Sequence, residues 1–424
     1  MQGMNPIDPK GRNDMKKFVI ILLAVCLLLG GLVGYLVGRD GSGSAAEPAA
    51  AGDAPSAAAA DETPAAEALP SAEPVAVRTL DYETIRALHA PDEIVGSVDG
   101  RDVSWDEFFY WLHDVGLQAE QYVQTLAMYG QSLDWTDKLS DESEQTLAEY
   151  VVELAQTSAV QLCTVEAVAE ENGVSLTPEN EAALAEELRR TIESSCGEGA
   201  TEEDFNARLE AEHVSRAMYD RISRANYLFQ NCFNALYGEN GAKVDEETAL
   251  AFLRDNSYLG AAHILFATID LDTYEPLDEE TIAQKLQQAE AVSAELRAIE
   301  DTDERTARFA ELKAQYCEDS GKESFPDGYL FTPGAMVSEF EDGVKALEEY
   351  EVSEPVLSTF GYHVIMRLPL SAEMTVDYSS AGTPLTARAL CANESFNAMM
   401  SSRIESGVFT PAEGFSLDLT QYLQ

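Results

Sequence analysis

The sequence is poor in basic residues and in histidine. Of its 424 residues, 27 are Lys or Arg and 76 are Asp or Glu, which gives a formal net charge of −49. Recognition of nucleic acid depends on Lys and Arg at the phosphates, so this balance excludes a nucleic-acid partner. Only five histidines are present, which argues against a histidine-rich metal site. We expect neither a metal nor a cofactor.

Cysteines are also few. The six cysteines occur singly along the chain, and no two have the CxxC spacing that is typical of zinc or thioredoxin-like sites. Cys26 lies in an apolar run, and the five others are an odd number. This count disfavours a disulfide framework. The presence of one or two disulfide bridges is left as an alternative.

One long apolar run stands near the N-terminus. Residues 18–37 are twenty residues without a charge, about the length that a helix needs to cross ~30 Å of hydrocarbon. Basic residues precede the run, which predicts that residues 1–17 are cytoplasmic and that the rest of the chain lies outside a single-pass cell-membrane anchor. A cleaved signal peptide is the alternative. Lipidation at Cys26 is disfavoured because Val25 stands where a small residue is needed.

The next segment, residues 38–78, is dominated by alanine, proline, serine and acidic residues. Such a composition cannot bury enough apolar surface to offset the entropy of ordering the chain. We predict an extended, disordered stalk.

Residues 91–256 have the pattern of packed helices, with apolar residues at intervals of three and four. The pair Asp99-Gly100 predicts a hairpin turn, and Ser104 with Glu107 predicts a capping box. The predicted helices that follow lie at about 140–172, 178 onward, 201–212, 215–237 and 245–256. A short strand before an aromatic helix is similar to the N-terminal chaperone region of the SurA/PrsA group of secreted foldases.

Two strand-like segments each contain a central histidine. They are "YLGAAHILFATID" (258–270), with His263, and "STFGYHVIMR" (358–367), with His363. Alternation places Phe360, Tyr362, Val364 and Met366 on one face of the second strand and His363 on the other. Helices are predicted between them at about 279–300 and around 307–320. On the residues alone, two core histidines with satisfied nitrogens are the simpler interpretation.

Four sequence motifs follow one another across residues 258–369. They are "HIL" at His263, "FAELKAQYCED" from Phe309 to Asp319, "GAMVSEFE" from Gly334 to Glu341, and "YEVSEPV" running into "GYHVI" at His363. The second corresponds to a family pattern F-x-x-L-A-x-x-Y-S-x-D. Together they resemble the parvulin-type peptidyl-prolyl cis-trans isomerase domain.

The resemblance implies a site and an activity. His263 and His363 would lie side by side beneath Asp319, and these three would be the catalytic residues. An apolar slot would seat the proline ring, formed by Met336 and Phe340 on one helical face, with Phe360 at its rim and Tyr329 or Leu330 at its back. Rotation about an X-Pro bond breaks no covalent bond, so neither a metal nor a cofactor is required.

The chain departs from the family pattern at several points. The turn "G-G-D-L-G" is replaced by "FPDGYLF" (325–331), and the loop after His263 is acidic. An acidic loop would repel a phosphoserine, which excludes the phosphate-directed branch of the family. Cys317 lies among acidic residues that disfavour its thiolate, so we interpret it as a packing or surface residue and not as a reactive thiol.

The sequence thus predicts an α+β protein. A mostly helical, chaperone-like domain (91–256) would precede a small parvulin domain (258–369) with a four-stranded sheet and helices, and the extension 370–424 would send a helix back onto the helical domain. The predicted function is that of a membrane-anchored, extracytoplasmic isomerase and foldase. Its partners would be unfolded or partly folded exported polypeptides with X-Pro bonds, and the membrane through the N-terminal helix. The alternative is a holdase chaperone whose parvulin module is weak or inactive.

Overall fold

The computed structural model describes residues 77–140, 143–378 and 384–424. The predicted cytoplasmic segment 1–17, the predicted anchor 18–37 and the predicted stalk up to residue 76 therefore lie outside the described residues. Within the described ranges, none of the helices is both long enough and apolar enough to cross a bilayer.

The elements confirm the predicted α+β class. The helices are, in chain order, α1 (Tyr82–Arg86), α2 (Trp105–Met128), α3 (Leu147–Glu171), α4 (Pro178–Cys196), α5 (Glu202–Ala211), α6 (Arg216–Tyr237), α7 (Glu246–Asp255), α8 (Glu279–Arg297), α9 (Thr302–Tyr316), α10 (Ser338–Lys345) and α11 (Ala387–Ser406). The strands are β1 (Ile94–Val98), β2 (Arg101–Ser104), β3 (Leu259–Ala267), β4 (Tyr329–Phe331), β5 (Val356–Leu357), β6 (Gly361–Leu368), β7 (Thr375–Tyr378), β8 (Pro384–Thr386) and β9 (Phe409–Pro411).

Packing divides the described chain into two units. The first unit contains the residues up to 232 together with 400–424, and the second unit contains 233–399. The sequence predicts a boundary near 256–258, but residues 233–256 group with the second unit. The reason is that Leu253 of α7 packs in one cluster with Leu330 and Ala387 of that unit.

The first unit contains a small sheet in the order β2-β1-β9. The predicted hairpin turn is confirmed, since Asp99 and Gly100 both have positive φ between β1 and β2. Strand β9 pairs antiparallel with β1 and places Phe409 opposite Val98. A Cβ at Gly96 would lie 2.3 Å from the Phe409 ring, so glycine is required there.

Two helix starts differ from the sequence prediction. Ser104 caps α2, but Glu107 does not complete a capping box, because its carboxylate is buried and pairs with Arg221. Helix α3 begins at Leu147 rather than near residue 140, because Thr146 and Glu149 form a capping box that fixes the start.

The second unit has a four-stranded antiparallel sheet in the order β4-β3-β6-β5. Helices α8 and α9 pack on one face, where Leu296 and Phe309 meet Val364 and Met366. Helix α9 contains the predicted segment from Ala307 but ends at Tyr316 rather than near 320, and Asp301 caps its start. Helix α10 packs on the other face through buried apolar side chains (Ala261, Phe331, Phe340, Val344 and Ile365). The predicted alternation of β6 is confirmed.

Candidate active site

The sheet register brings the two strand histidines together. On the face under α10, His263 of β3 lies opposite Ile365 and His363 of β6 lies opposite Leu265. The two imidazole rings are nearly parallel, with centroids 5.1 Å apart and planes 11° apart. Their Nδ1 atoms are 2.9 Å apart. Both side chains are buried, so each ring nitrogen needs a partner in the protein.

The segment after α9 places a carboxylate beside this pair. Strand β4 pairs with β3 only at residues 259–261. Further along β3, the backbone of this segment takes the same edge, and the Glu318 amide donates to the Leu265 carbonyl at 3.0 Å. The Glu318 carboxylate accepts from the Ala267 amide at 2.7 Å. Cys317 is buried against the same strand, and burial raises the pKa of its thiol. The segment is thus held against β3 just before Asp319.

Asp319 accepts hydrogen bonds from three directions. Its Oδ2 lies 3.0 Å from Nε2 of His263 and accepts from the Tyr329 hydroxyl, and its Oδ1 accepts from the Gly321 amide at 3.1 Å. Burial alone would raise the pKa of Asp319, but the bonds from His263 and Tyr329 outweigh it and hold that pKa well below its usual value. The side chain is therefore an anion at neutral pH.

The hydrogen-bond pattern fixes the tautomers of both rings when they are neutral. Since Asp319 is an acceptor, Nε2 of His263 carries a proton and its Nδ1 accepts from Nδ1–H of His363. Nε2 of His363 then accepts from the Ser358 hydroxyl, 2.7 Å away, and that hydroxyl oxygen accepts from the Phe360 amide at 3.1 Å. Burial, with the neighbouring His263, lowers the pKa of His363 to about 3, so this ring is neutral at pH 7.

An apolar wall stands next to the imidazoles. The Phe340 ring of α10 lies edge-on to both of them, with centroid distances of 5.2 Å to His263 and 5.4 Å to His363. Phe331 packs against Phe340, and Met336 packs partly buried against the same cluster. In the parts of the chain that the structure describes, no group of three or more His, Cys, Asp or Glu could hold a metal ion.

Comparison with known families identifies this region. The model of the rotamase family, the PPIC-type PPIASE domain, matches residues 263–368. This segment is a PPIC-type peptidyl-prolyl isomerase domain. The matched range contains both histidines, Asp319 and Phe340.

The chain is also similar to proteins named as foldases. Foldase protein PrsA 1 of Bacillus cereus is 57% identical over 58 residues, which are 13% of this chain and 20% of that protein. Foldase protein PrsA of Oceanobacillus iheyensis is 30% identical over 194 residues, 45% of this chain and 55% of that protein. The crystal structure of PrsA from Bacillus subtilis is 16% identical, covers 74% of this chain and 91% of that chain, and has a TM-score of 0.24. The chain spans about a fifth of the length of the first of these curated relatives and about half of the length of the second.

The structure corrects parts of the predicted apolar slot of the isomerase domain. Met336 does not share a helical face with Phe340, because α10 begins at Ser338 and Met336 lies in the preceding loop. Leu330 packs with Leu253, apart from the imidazoles. Phe360 packs against the cluster that contains Val364, on the α8 and α9 side of the sheet. Of the two back-wall candidates, Tyr329 reaches the imidazoles, with a centroid distance of 5.6 Å to His263. The roles of the remaining residues stay predictions.

Sequence reasoning missed Ser358 in the isomerase domain. It stands five residues before His363 and outside any regular period, so no spacing indicates that the two side chains meet. The structure places its hydroxyl on the buried Nε2 of His363. The contact arises from the bend between β5 and β6, where the Ser358 amide donates to the Gly361 carbonyl at 2.9 Å.

Replacing Ser358 with alanine is expected to destabilise the isomerase domain by about 1–3 kcal/mol, because it leaves a buried ring nitrogen without a hydrogen-bond partner. Hydrogen exchange of the β6 amides measures the effect, and faster exchange is the expected result. Ser338→Ala is the control, since Ser338 is exposed on α10. Equal exchange in both variants would mean that the Ser358 hydroxyl contributes nothing to the network.

Proposed function

We propose that the chain is a membrane-anchored, extracytoplasmic foldase that catalyses cis-trans isomerisation of X-Pro bonds in exported polypeptides. One observation carries the proposal: His263 and His363 are hydrogen-bonded to each other, and the first also to Asp319, next to the apolar ring of Phe340. The family match to residues 263–368 supports it, as does the similarity to proteins named as foldases.

The geometry accounts for the reaction through electrostatics. A planar X-Pro amide carries partial negative charge on oxygen and partial positive charge on nitrogen, and twisting the bond reduces this separation at a barrier near 20 kcal/mol. The anionic Asp319, placed beside the carbonyl oxygen, would disfavour the charge-separated planar forms more than the twisted one. A reduction of the barrier by about 4–6 kcal/mol would give about 10³–10⁴ in rate.

The histidines would keep the carboxylate in this state. His263 donates to Asp319 from a fixed nitrogen, and His363 fixes the tautomer of His263 through the Nδ1 contact. Phe340 and Met336 would hold the proline ring and exclude water, which strengthens the effect of the charge on the amide. No covalent intermediate and no proton transfer to the substrate is needed.

Refolding of a client protein tests the proposal. The whole chain is added to a protein whose slow refolding phase is limited by an X-Pro bond, a process of tens of seconds without a catalyst. We expect catalytic amounts to accelerate that phase in proportion to their concentration. A slow phase with an unchanged rate at every concentration would contradict the isomerase function.

The proposed location depends on residues 18–37, which have the length and composition of a membrane span. Fractionation of cells that express the full chain tests it, together with protease added outside intact cells. We expect the chain in the membrane fraction and digestion of its folded part. Recovery as a free, shortened protein would instead favour a cleaved signal peptide.

A second candidate function is the holding of unfolded chains, and an opening in the first unit favours it. A cleft of about 360 Å³ lies between α4 and α6, with Leu184, Leu188 and Tyr219 in its lining. Charged residues of both signs also line it (Glu181, Glu187, Arg190, Arg216, Asp220 and Arg224). A lining that combines apolar and charged side chains suits a short segment of unfolded polypeptide.

We expect Leu188→Glu to weaken suppression of client aggregation by the whole chain several-fold, because it replaces one of the apolar lining residues of the cleft with a charge. Light scattering of a denatured client during refolding measures this. The isomerase rate on an X-Pro peptide should stay at the wild-type value in this variant. Full aggregation suppression by Leu188→Glu would exclude the cleft as the holding site.

A further inference from the structure

A buried lysine stands close to the isomerase site. Lys313, on the last turns of α9, is 7% exposed. Its ammonium donates to two backbone carbonyls, that of Phe325 at 3.1 Å and that of Pro326 at 3.0 Å. Among the residues that the structure describes, no carboxylate lies within ion-pair distance of this ammonium. Burial is costly for an ammonium, and here two carbonyls of one turn offset the cost.

The turn that Lys313 holds is the segment 325–328. The Gly328 amide donates to the Phe325 carbonyl at 3.1 Å, which closes the turn. Gly328 has φ of +104°, and a Cβ there would lie 2.7 Å from the Ala261 carbonyl oxygen. The turn is therefore packed directly against β3, and β4 begins immediately after it.

The same turn leads to the catalytic carboxylate through two aromatic rings. The Phe325 ring packs on the Tyr329 ring, with centroids 4.9 Å apart, and the Tyr329 hydroxyl donates to Asp319. The space around this hydroxyl is tight, since a Cβ at Gly321 would lie 2.2 Å from it. A small displacement of Phe325 would therefore change the Tyr329–Asp319 contact.

Two departures of the chain from the family pattern meet at this point. Lys313 stands where the pattern F-x-x-L-A-x-x-Y-S-x-D has alanine, and the turn 325–328 stands where the pattern has "G-G-D-L-G". The structure shows that the two departures are in direct contact. A lysine in place of a small residue thus supplies the donors that hold the replaced turn.

We propose that Lys313 is a positioning residue of the isomerase site: by binding the carbonyls of Phe325 and Pro326, it fixes the ring that holds the Tyr329 hydroxyl on Asp319. The inference rests on the proposed isomerase function. Lys313 acts through Tyr329 and does not touch the substrate. Its loss should therefore lower kcat and leave KM nearly unchanged, because Phe340 and Met336 are not disturbed.

A double-mutant cycle on the whole chain tests the proposal. We expect Lys313→Met and Tyr329→Phe each to lower kcat for an X-Pro peptide by about tenfold, since small misplacements of catalytic groups have effects of this size. The double variant should lose no more than either single variant, because both act on one contact. Lys243→Met is the matched control, since Lys243 is exposed and also donates to a backbone carbonyl, that of Ala235 at 2.6 Å. It should keep full activity.

Losses that multiply in the double variant, or full activity of Lys313→Met, would overturn the proposal. If Lys313→Met does not fold, Lys313→Gln replaces it in the cycle, because an amide still donates to one carbonyl without a buried charge. A second readout does not depend on activity. Amide hydrogen exchange across 321–331 should be faster in the Lys313 variant, and unchanged exchange would show that Lys313 does not hold the turn. An inactive wild-type chain would instead contradict the proposed function, and the exchange result would still decide whether Lys313 holds the turn.

Discussion

Substitution of Asp319 by alanine is expected to lower kcat/KM for X-Pro isomerisation by about 100-fold, the size of effect found when one preorganised electrostatic group is removed from an active site. The carboxylate accepts from His263, Tyr329 and the Gly321 amide, so it is held in place before the substrate arrives. A peptide assay of the cis-to-trans rate measures the loss.

Two further variants separate charge from hydrogen bonding. Asp319→Asn keeps an acceptor oxygen but removes the charge, and we expect it to lose nearly as much activity as the alanine variant. Asp303→Ala is the control, because Asp303 is an exposed carboxylate in the first turn of α9. Wild-type activity in Asp319→Asn would show that the charge of Asp319 has no part in catalysis.

Acid is expected to destabilise the second unit through His363. The pKa of this buried ring is about 3 in the folded protein, against an ordinary value of 6.5. Because the folded state holds the ring neutral, its contribution to stability is complete above pH 6.5 and declines as the pH falls toward 3. The loss amounts to as much as about 5 kcal/mol, since one pKa unit corresponds to about 1.36 kcal/mol and the pKa is lowered from 6.5 to about 3.

Asp319 also loses its contribution to stability in acid, because its pKa is lowered in the folded protein. This loss begins only below pH 3.8, the ordinary pKa of an aspartate. Glu341, whose pKa is also lowered, adds its loss only near and below its ordinary value of 4.5, so the window between pH 6.5 and 5 reports on His363. We expect His363→Gln to flatten the decline of stability in this window, while His89→Gln, a partly exposed histidine of the first unit, should leave it unchanged.

Hydrogen exchange of β3 and β6 amides, corrected for the intrinsic pH dependence, measures the stability of the second unit. Tryptophan fluorescence cannot do so, because the three tryptophans (Trp105, Trp111 and Trp135) all lie in the first unit. An equally steep decline in His363→Gln and in the wild type would mean that protonation of this ring does not limit stability in acid.

Strand alternation is a local signal, and it predicts part of the frame of the site. Period-two alternation places His363 and Ile365 on one face of β6, and the resemblance of the four motifs to the parvulin family implies that His263 lies on a strand of the same domain. The predicted helix start at 178 is confirmed, because Thr177 caps α4 and Pro178 occupies its first turn.

Features that depend on tertiary contacts are not predictable in this way. The spacing of Met336 and Phe340 fits a helical face, but nothing local shows that α10 begins only at Ser338. Tyr329 and Leu330 are neighbours in the chain, and the register of β4 with β3 decides which of them reaches the imidazoles. Glu107 suits a capping box, but the distant Arg221 takes its carboxylate.

Exchange NMR on a short peptide with one X-Pro bond tests the central claim most directly, because it observes cis and trans forms interconverting at equilibrium. With catalytic amounts of the whole chain, we expect exchange cross-peaks between the two forms on a subsecond timescale, and their loss with the Asp319→Ala variant. Cross-peaks of equal strength with wild type and variant, or none with either, would contradict an isomerase that works through Asp319 beside the His263–His363 pair.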